Sequence, residues 1–414
     1  MTRHLPRTLG LVLLTALVSR PSFAGPKTPA EAEQLVERVL RHAILIDTHA
    51  DTPQMMLDND YDLADPNSPY MLSIPKMRQG HLGAEFFSIW VDVGWPPQDL
   101  IHRALDLIDA VDEQVARHAG ALENARTADD IVRIHDQGKI AVLMGLEGGY
   151  ILQDDPRALD IFYRLGIRYM TLTHTKNNKL GDSSGEKSGS NGLTPFGREI
   201  VARMNRLGMM VDISHVSDKT FYDTLAVTRA PVIASHSSCR ALCAAPRNMT
   251  DDMIRALAKN GGVMDINFYS AFLDPEFRKA REAISKQIDA AVDAARAERA
   301  QQGKRLSWAE ETQIRKRLEA DLSKPNLSVI ADHIDHVVKV AGVDYVGLGS
   351  DFDGVDAVPQ GMEDVSKLPD LVRELARRGY SEADLEKILG GNVLRVMRRA
   401  EEVAHEMQAE GSKR

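Results

Sequence analysis

Cysteine is almost missing from this chain: Cys239 and Cys243 are the only two in 414 residues. A disulfide scaffold is therefore excluded. The pair is also badly spaced for a bridge on one helical turn, where side chains four apart sit about 5 to 6 Å from each other and a disulfide wants its β-carbons about 3.8 Å apart. Only an irregular loop would let them join. Long apolar runs are equally scarce. Leu9 to Val18 is one, roughly half of the ~20 residues that a membrane-spanning helix needs, and no later segment is apolar enough to span a bilayer or to act as a lipid-anchor signal. Basic clusters are lacking as well. The chain carries 51 Lys and Arg against 60 Asp and Glu, a net charge of −9, and no stretch gathers cations without interleaved acids. That speaks against nucleic acid as a partner.

What is present begins with Arg3 and Arg7 ahead of the apolar run and Ser22-Phe23-Ala24 after it. This order predicts a secretory signal peptide over residues 1–24, with cleavage before Gly25. Cleavage removes Arg3, Arg7 and Arg20 and no acid, so the net charge moves from −9 to −12. The expected product is exported, a periplasmic or secreted soluble protein with no transmembrane segment in the mature chain.

Short apolar runs bounded by turn signals then recur along the chain. They are Ala43 to Asp47, Ala84 to Val91, Ile140 to Met144, Tyr169 to Thr173, Met209 to Ile213, Val232 to Ser235, Gly262 to Ile266 and Tyr345 to Gly349. Most are continuous rather than alternating, as strands buried on both faces of a parallel sheet are. Helical periodicity lies between them, at Asp99 to Ala119, Pro156 to Leu165, Thr194 to Leu207, Ser217 to Thr228 and Asp251 to Lys259. Eight alternations predict an α/β fold of the (β/α)8 TIM-barrel type, one domain over 25–414. The doubly wound alternative would show a glycine-rich phosphate turn after the first strand, and Asp47-Thr48-His49-Ala50-Asp51 is no such turn. A stretch rich in Ala, Glu, Lys and Arg, residues 274–323, interrupts the rhythm between the seventh and eighth strands. It reads as an inserted helical arm, a solvated hairpin on the barrel flank in preference to a lid or a homodimer contact. Residues 181–192, rich in Gly and Ser, are a loop after the fourth strand. Closing helices are expected at Leu368 to Arg378 and Glu382 to Leu389, with a frayed polar tail past Ala404.

Chemistry in such a barrel sits where the strands end. The ends here carry His49 and Asp51, Glu147, His174, His215, His236, and Asp351 with Asp353. Chance would put about half of one His from a chain with this many into sixteen such slots, and four are there. Imidazole nitrogen and carboxylate oxygen are the ligands zinc takes in catalytic sites, with a position left for water. His49 and Asp51 are two apart on an extended strand, so both can face one ion.

These residues sit in ordered motifs: Ile46-Asp47-Thr48-His49-Ala50-Asp51, Gly145-Leu146-Glu147-Gly148-Gly149, Thr171-Leu172-Thr173-His174, Asn191-Gly192-Leu193-Thr194-Pro195-Phe196-Gly197, Asp212-Ile213-Ser214-His215-Val216-Ser217, Ser235-His236-Ser237-Ser238, Pro246-Arg247-Asn248 and Gly349-Ser350-Asp351-Phe352-Asp353-Gly354. From about Ile44 to Met397 the chain resembles the renal-type, or membrane, dipeptidases, binuclear zinc peptidases among the amidohydrolase-like barrels. The resemblance implies two Zn2+ ions per chain. One would be held by His49 and Asp51, the other by His215 and His236, with Glu147 bridging both. It further implies that His174 contacts the scissile group, that Arg247 faces the substrate carboxylate and that Asp351 handles protons. Departures are the missing C-terminal anchor signal and Lys176, which stands where some members carry Cys.

The implied activity is hydrolysis of free dipeptides, including those with a D-residue at the C-terminal side, which the family tends to accept. Independent chemistry agrees: two ions about 3.5 to 4 Å apart lower the pKa of a shared water and polarise the amide carbonyl, and the planar fork of Arg suits a terminal carboxylate. Competing functions are another binuclear amidohydrolase, acting on lactones, phosphoesters or cyclic amides, and a non-catalytic metal- or peptide-binding barrel. Many of the former bridge their metals with a carbamylated Lys, where this chain has Glu147, and the latter would lack a ligand. Simpler roles are weighed for other residues: Arg247 paired with Asp251 or Asp252, Asp353 structural, His333 and His336 on the surface, and Trp90 and Trp95 with no site role.

Overall fold

The computed structural model describes residues 27–411. The expected signal peptide lies outside the described residues. Among the described residues nine parallel strands form: β1 Leu45–Ala50, β2 Leu82–Trp90, β3 Leu122–Asn124, β4 Ile140–Glu147, β5 Ile167–Thr171, β6 Met210–Asp212, β7 Val232–Ser237, β8 Val263–Ile266 and β9 Val346–Leu348. Their order is β2-β1-β9-β8-β7-β6-β5-β4-β3, and β2 also pairs with β4, which closes eight of them into a (β/α)8 barrel. The ninth, β3, was not foreseen. β4 pairs with β2 from Ala141 to Glu147 on one side, and on its other side its first residues meet β3 while its last meet β5. Leu122-Glu123-Asn124 contains a single apolar residue, so unlike the equally short β6 and β9 it does not register as an apolar run in the sequence.

The apolar runs are strands because each is covered on both faces, by barrel interior and by helices. Inside, Ile46, Phe86, Leu143, Tyr169, Met210, Ile233 and Val263 form one buried cluster, joined by Val393, Val396, Met397 and Ala400 of the last helix. The helices start where side chains can satisfy their free N–H groups. Thr194, Ser217 and Thr250 accept from Gly197, Thr220 and Met253 and so open the helices Pro195–Leu207, Asp218–Leu225 and Asp251–Asn260. The polar tail is not frayed within the described residues: the last helix is Asn392–Gly411, and Arg229 pairs with Glu410 across from it. Cys239 and Cys243 are free and buried. The Cys243 N–H donates to the Cys239 carbonyl at 3.1 Å, a single helical turn, the geometry that their spacing disfavours for a bridge.

The arm comprises helices Pro275–Gln301 and Trp308–Leu318, and its placement corrects the sequence reading. Most of its charges are solvated as expected, but the arm is not confined to the barrel flank: a few of its residues turn inward over the barrel mouth. Glu311, Glu319 and Asp356 are buried, and they accept from Arg296, Arg315 and Arg281, while Trp308 donates its indole N–H to the Asp353 carbonyl at 2.8 Å. The Arg281–Asp356 pair and the Trp308 hydrogen bond hold the arm against the barrel mouth. Composition alone cannot distinguish an internal ion pair from two solvated ions. Among the described residues no helix is long and apolar enough to cross a membrane.

Phe86 is fully buried and stacks on Tyr169 at 5.6 Å between centroids. Phe86→Ala is expected to cost about 3 to 5 kcal/mol of stability, read by chemical denaturation; a loss below about 1 kcal/mol would mean that the barrel interior closes over the gap.

Candidate metal centre

Seven of the eight expected site residues converge at the strand ends, around the carboxylate of Glu147. Its Oε2 lies 3.5 Å from His49 Nε2 and accepts from Ser88 Oγ at 3.0 Å. Its Oε1 lies 3.0 Å from His215 Nε2, 3.5 Å from His236 Nε2 and 3.6 Å from His174 Nε2. One carboxylate therefore presents each oxygen to a different group of imidazoles. His215 and His236 bring their Nε2 atoms within 2.9 Å of each other, and His49 Nε2 is 3.4 Å from Asp51 Oδ1. His49, Asp51 and Asp351 form a further cluster with metal-ligand spacing.

The remaining nitrogens fix which tautomer each ring adopts. Tyr169 donates its hydroxyl hydrogen to the Thr48 carbonyl at 3.0 Å, so His49 Nδ1–H donates to the tyrosine oxygen at 2.8 Å. Ser235 Oγ donates to Asp212 at 2.7 Å and receives His236 Nδ1–H at 2.8 Å. Both rings thus turn an Nε2 lone pair toward the centre. Burial pushes the His215 and His236 imidazoles well below their usual range, toward the neutral ligand form. Burial opposes charge on Glu147 too, yet the facing His174 and His49 hold its carboxyl well below the ordinary value. At His49 burial is outweighed by the Tyr169 oxygen and the carboxylates of Glu147 and Asp51, which raise it strongly; a cation between them would take that proton's place. Asp51 Oδ1 is buried without a hydrogen-bond partner. Converging lone pairs, an orphaned carboxylate oxygen and a shared Glu are what a metal pair needs, so these residues fit one.

Backbone geometry holds the set. His215, Asp351 and Asp353 have φ of 65°, 62° and 63°, a conformation non-glycine residues keep only where surroundings impose it. The Asp351 N–H donates to the His49 carbonyl at 3.0 Å and the Asp51 N–H to the Phe352 carbonyl at 2.9 Å, which laces the ends of β1 and β9 together. Asp351 is partly open to the cavity and accepts from Asn267 Nδ2 at 2.8 Å; burial pushes its carboxyl up to about 7. The 181–192 loop is organised around Asp182, which accepts from Ser188 Oγ and from the N–H groups of Gly189, Ser190 and Gly192. From it Ser183 Oγ reaches the His174 carbonyl at 2.5 Å and the Ser184 N–H reaches the His215 carbonyl at 2.8 Å.

Residues 33–411 match the family model for membrane dipeptidases, peptidase family M19. The chain belongs to this family. Its curated relatives include the uncharacterized dipeptidase C965.12 of Schizosaccharomyces pombe, 36% identical over 394 residues that cover 90% of this chain and 84% of that one. Dipeptidase tcpJ of Claviceps purpurea is 36% identical over 342 residues, 80% of this chain and 70% of that one. Among solved structures, the probable dipeptidase PvdM from Pseudomonas aeruginosa superposes with a TM-score of 0.77 at 27% identity, over 91% of this chain and all of that one. A metallo peptidase from Rhodobacter sphaeroides, liganded with a phosphinate mimic of the dipeptide L-Ala-D-Ala, gives 0.70 at 25% identity over 86% and 99%. Membership makes this chain a metal-dependent hydrolase acting on dipeptides.

The eighth expected residue, Arg247, stands beside the centre of this dipeptidase. It donates to Ser237 Oγ and to the His236 carbonyl, both at 2.8 Å, and not to Asp251 or Asp252. Burial lowers it to about 10, with Asp351 opposing. Its buried Nε has no partner, and three of its five N–H groups stay available. Asp353 is structural, accepting from Thr52 and the Met71 N–H. His333 is not a surface residue: it is fully buried and bridges the Cys239 N–H and the Leu273 carbonyl. Periodicity on a short helix could not say which face packs inward. His336 is partly buried against Asp251.

A cavity of about 450 Å³ opens over the dipeptidase centre, and the arm lines it with Arg281, Arg296, Trp308, Glu311 and Arg315 beside Trp90, Tyr269 and Phe272. Sequence reasoning missed these arm residues and the supports Ser88, Tyr169, Asp212, Ser235 and Asn267. One signal was available for four of the supports: polar residues inside otherwise apolar strand runs must find buried partners. Gly354 lies where a β-carbon would overlap Asp51 Oδ2 and Asp351 Oδ1. Gly354→Ala is expected to reduce metal affinity about tenfold, in the range for disturbed ligand supports, as read by elemental analysis after dialysis at graded zinc. Unchanged occupancy would show that the two carboxylates yield without cost.

Proposed function

We propose that this enzyme is a zinc-dependent dipeptidase that hydrolyses free dipeptides, those with a D-residue at the C-terminal position among them, and that it uses two Zn2+ ions per chain. The observation that carries the reading is Glu147, one carboxylate with its two oxygens turned to separate sets of imidazoles. His49 and Asp51 would hold one ion, His215 and His236 the other, and Glu147 both. The donor set is the nitrogen and oxygen mixture of catalytic zinc sites. Support for the D-residue comes from the Rhodobacter sphaeroides relative and its L-Ala-D-Ala mimic. When bound, such an ion pair lowers the pKa of a shared water and polarises the amide carbonyl.

The chain's own residues supply the rest. His174, held at its carbonyl by Ser183, donates to the oxyanion that develops on attack; a donor so aimed is typically worth about 2.7 to 4 kcal/mol. Arg247 offers its free N–H groups to the substrate's terminal carboxylate, which favours dipeptides over long chains. Asp351, fixed by Asn267 and beside Asp51, accepts the proton of the attacking water and returns it to the leaving amine. We further propose export with cleavage before Gly25. A homodimer is compatible with this reading but is not needed by it, since every proposed site residue comes from one chain.

Elemental analysis of the zinc-supplemented protein is expected to give about two zinc per chain, because five ligands exceed what one tetrahedral ion takes. Hydrolysis of L,L and L,D dipeptides should stop with chelator; less than one zinc per chain, or turnover without metal, would overturn the reading. Asp351→Asn keeps size and most hydrogen bonds but not basicity. Its kcat should fall roughly 10²- to 10⁴-fold with metal content and KM nearly unchanged. A variant that keeps more than about a tenth of the wild-type kcat, a loss smaller than even the roughly 10- to 100-fold typical of a mere ligand support, would mean that the proton goes elsewhere.

A further inference from the structure

A second cavity of about 460 Å³ adjoins the one over the metal centre. Five residues wall both: Trp90, Asp92, Arg296, Trp308 and Glu311. At the partition the two indoles meet edge to face, 5.1 Å between centroids at 87°. Trp90 ends β2, holds Gln54 through its carbonyl at 2.8 Å and tilts its ring over His174 at 5.7 Å. Trp308 is the first residue of its arm helix, pinned by its indole N–H to the Asp353 carbonyl. Behind it, the Arg296–Glu311 ion pair, itself part of both walls, fixes the arm. The partition is thus half barrel and half arm.

We propose that Trp308 is a specificity-determining residue: its indole closes the metal-centre cavity on the arm side and limits the length of substrate side chain that the enzyme accepts. The inference rests on the dipeptidase reading. A cavity of 450 Å³ is at the small end of ligand sites, and it must hold the dipeptide backbone, both side chains and the attacking water. A side chain that runs toward the arm meets the Trp90–Trp308 pair, and the equal volume behind it is out of reach. Trp90 cannot be the adjustable half, because its ring also rests on His174. Trp308 has no ring contact with a proposed ligand; its truncation joins the cavities and also removes the hydrogen bond to the Asp353 carbonyl, a general loss that a ratio of substrates cancels.

The test is kcat/KM on two dipeptide series, Ala-Xaa and Xaa-Ala, with Xaa running from Ala through Leu and Phe to Trp. The measured quantity is the ratio of each long member to Ala-Ala, which cancels a general loss of activity. Trp308→Ala is expected to raise that ratio for Phe or Trp by about tenfold or more in one series, the scale on which pocket size discriminates apolar side chains. Trp308→Phe, which keeps an aromatic ring in place and guards against a variant that fails to fold, should give a smaller rise in the same series. Ala300 lies on the wall of the second cavity only, so adding Ala300→Trp to Trp308→Ala should return the ratio toward the wild-type value. Ratios within twofold of wild type in both series for both Trp308 variants would overturn the proposal. A rise that Ala300→Trp leaves intact would also overturn it, since the new room would not be the second cavity. A wild-type protein that cleaves no dipeptide would instead bring down the underlying dipeptidase reading, and the ratio would have no value to compare.

Discussion

Negative charge held out of water is the constraint on which the rest of this structure depends. Asp51 and Glu147 are buried at the barrel mouth and Asp351 lines the cavity beside them. Three carboxylates so close are costly to keep ionised without cations or donors aimed at them. The four imidazoles, the Ser88 hydroxyl and the Asn267 amide answer part of that demand, and the orphaned Asp51 oxygen marks the part that a metal would meet. The same concentration of charge that would destabilise an ordinary core is what suits the centre to a metal ion.

Precision at such a centre comes from the layer behind it. Tyr169 and the Ser235–Asp212 pair choose ring tautomers, the β1 and β9 ends are laced by their own amides, and the Asp182 loop holds the carbonyls of His174 and His215. Tyr169, Asp212 and the β9 amides reach in from strands distant in sequence, whereas Ser235 is the immediate neighbour of His236 and is itself held by Asp212. Rigid strands set the ligand positions, and short side chains set their orientations.

The arm adds selectivity to a barrel that already contains the chemistry. Its buried ion pairs contribute less to stability than apolar packing would, since desolvation offsets much of their attraction. They do fix geometry: Arg281 reaches both Glu319 of the arm and Asp356 after β9. That sets the distance between the arm helices and the barrel mouth, and so the height of the cavity roof.

Much of this was legible in the sequence. Apolar runs of strand length with helices between them imply the barrel, because burial on both faces demands continuous apolar strands. The strand ends pick out the residues that converge on Glu147, because His and acids are rarely gathered there without use. What the sequence alone determined is therefore local: which apolar runs are strands, where helices lie between them, and which side chains stand at strand ends. Only the tertiary structure decided that β3 shares an edge of β4, that His333 is buried, that Tyr169 orients His49, and that Trp308 meets Trp90 across 218 positions of chain. Periodicity and composition report how a residue relates to its own element, whereas an ion pair, a tautomer or a cavity wall depends on the distance between two elements, which exists only once the chain has folded.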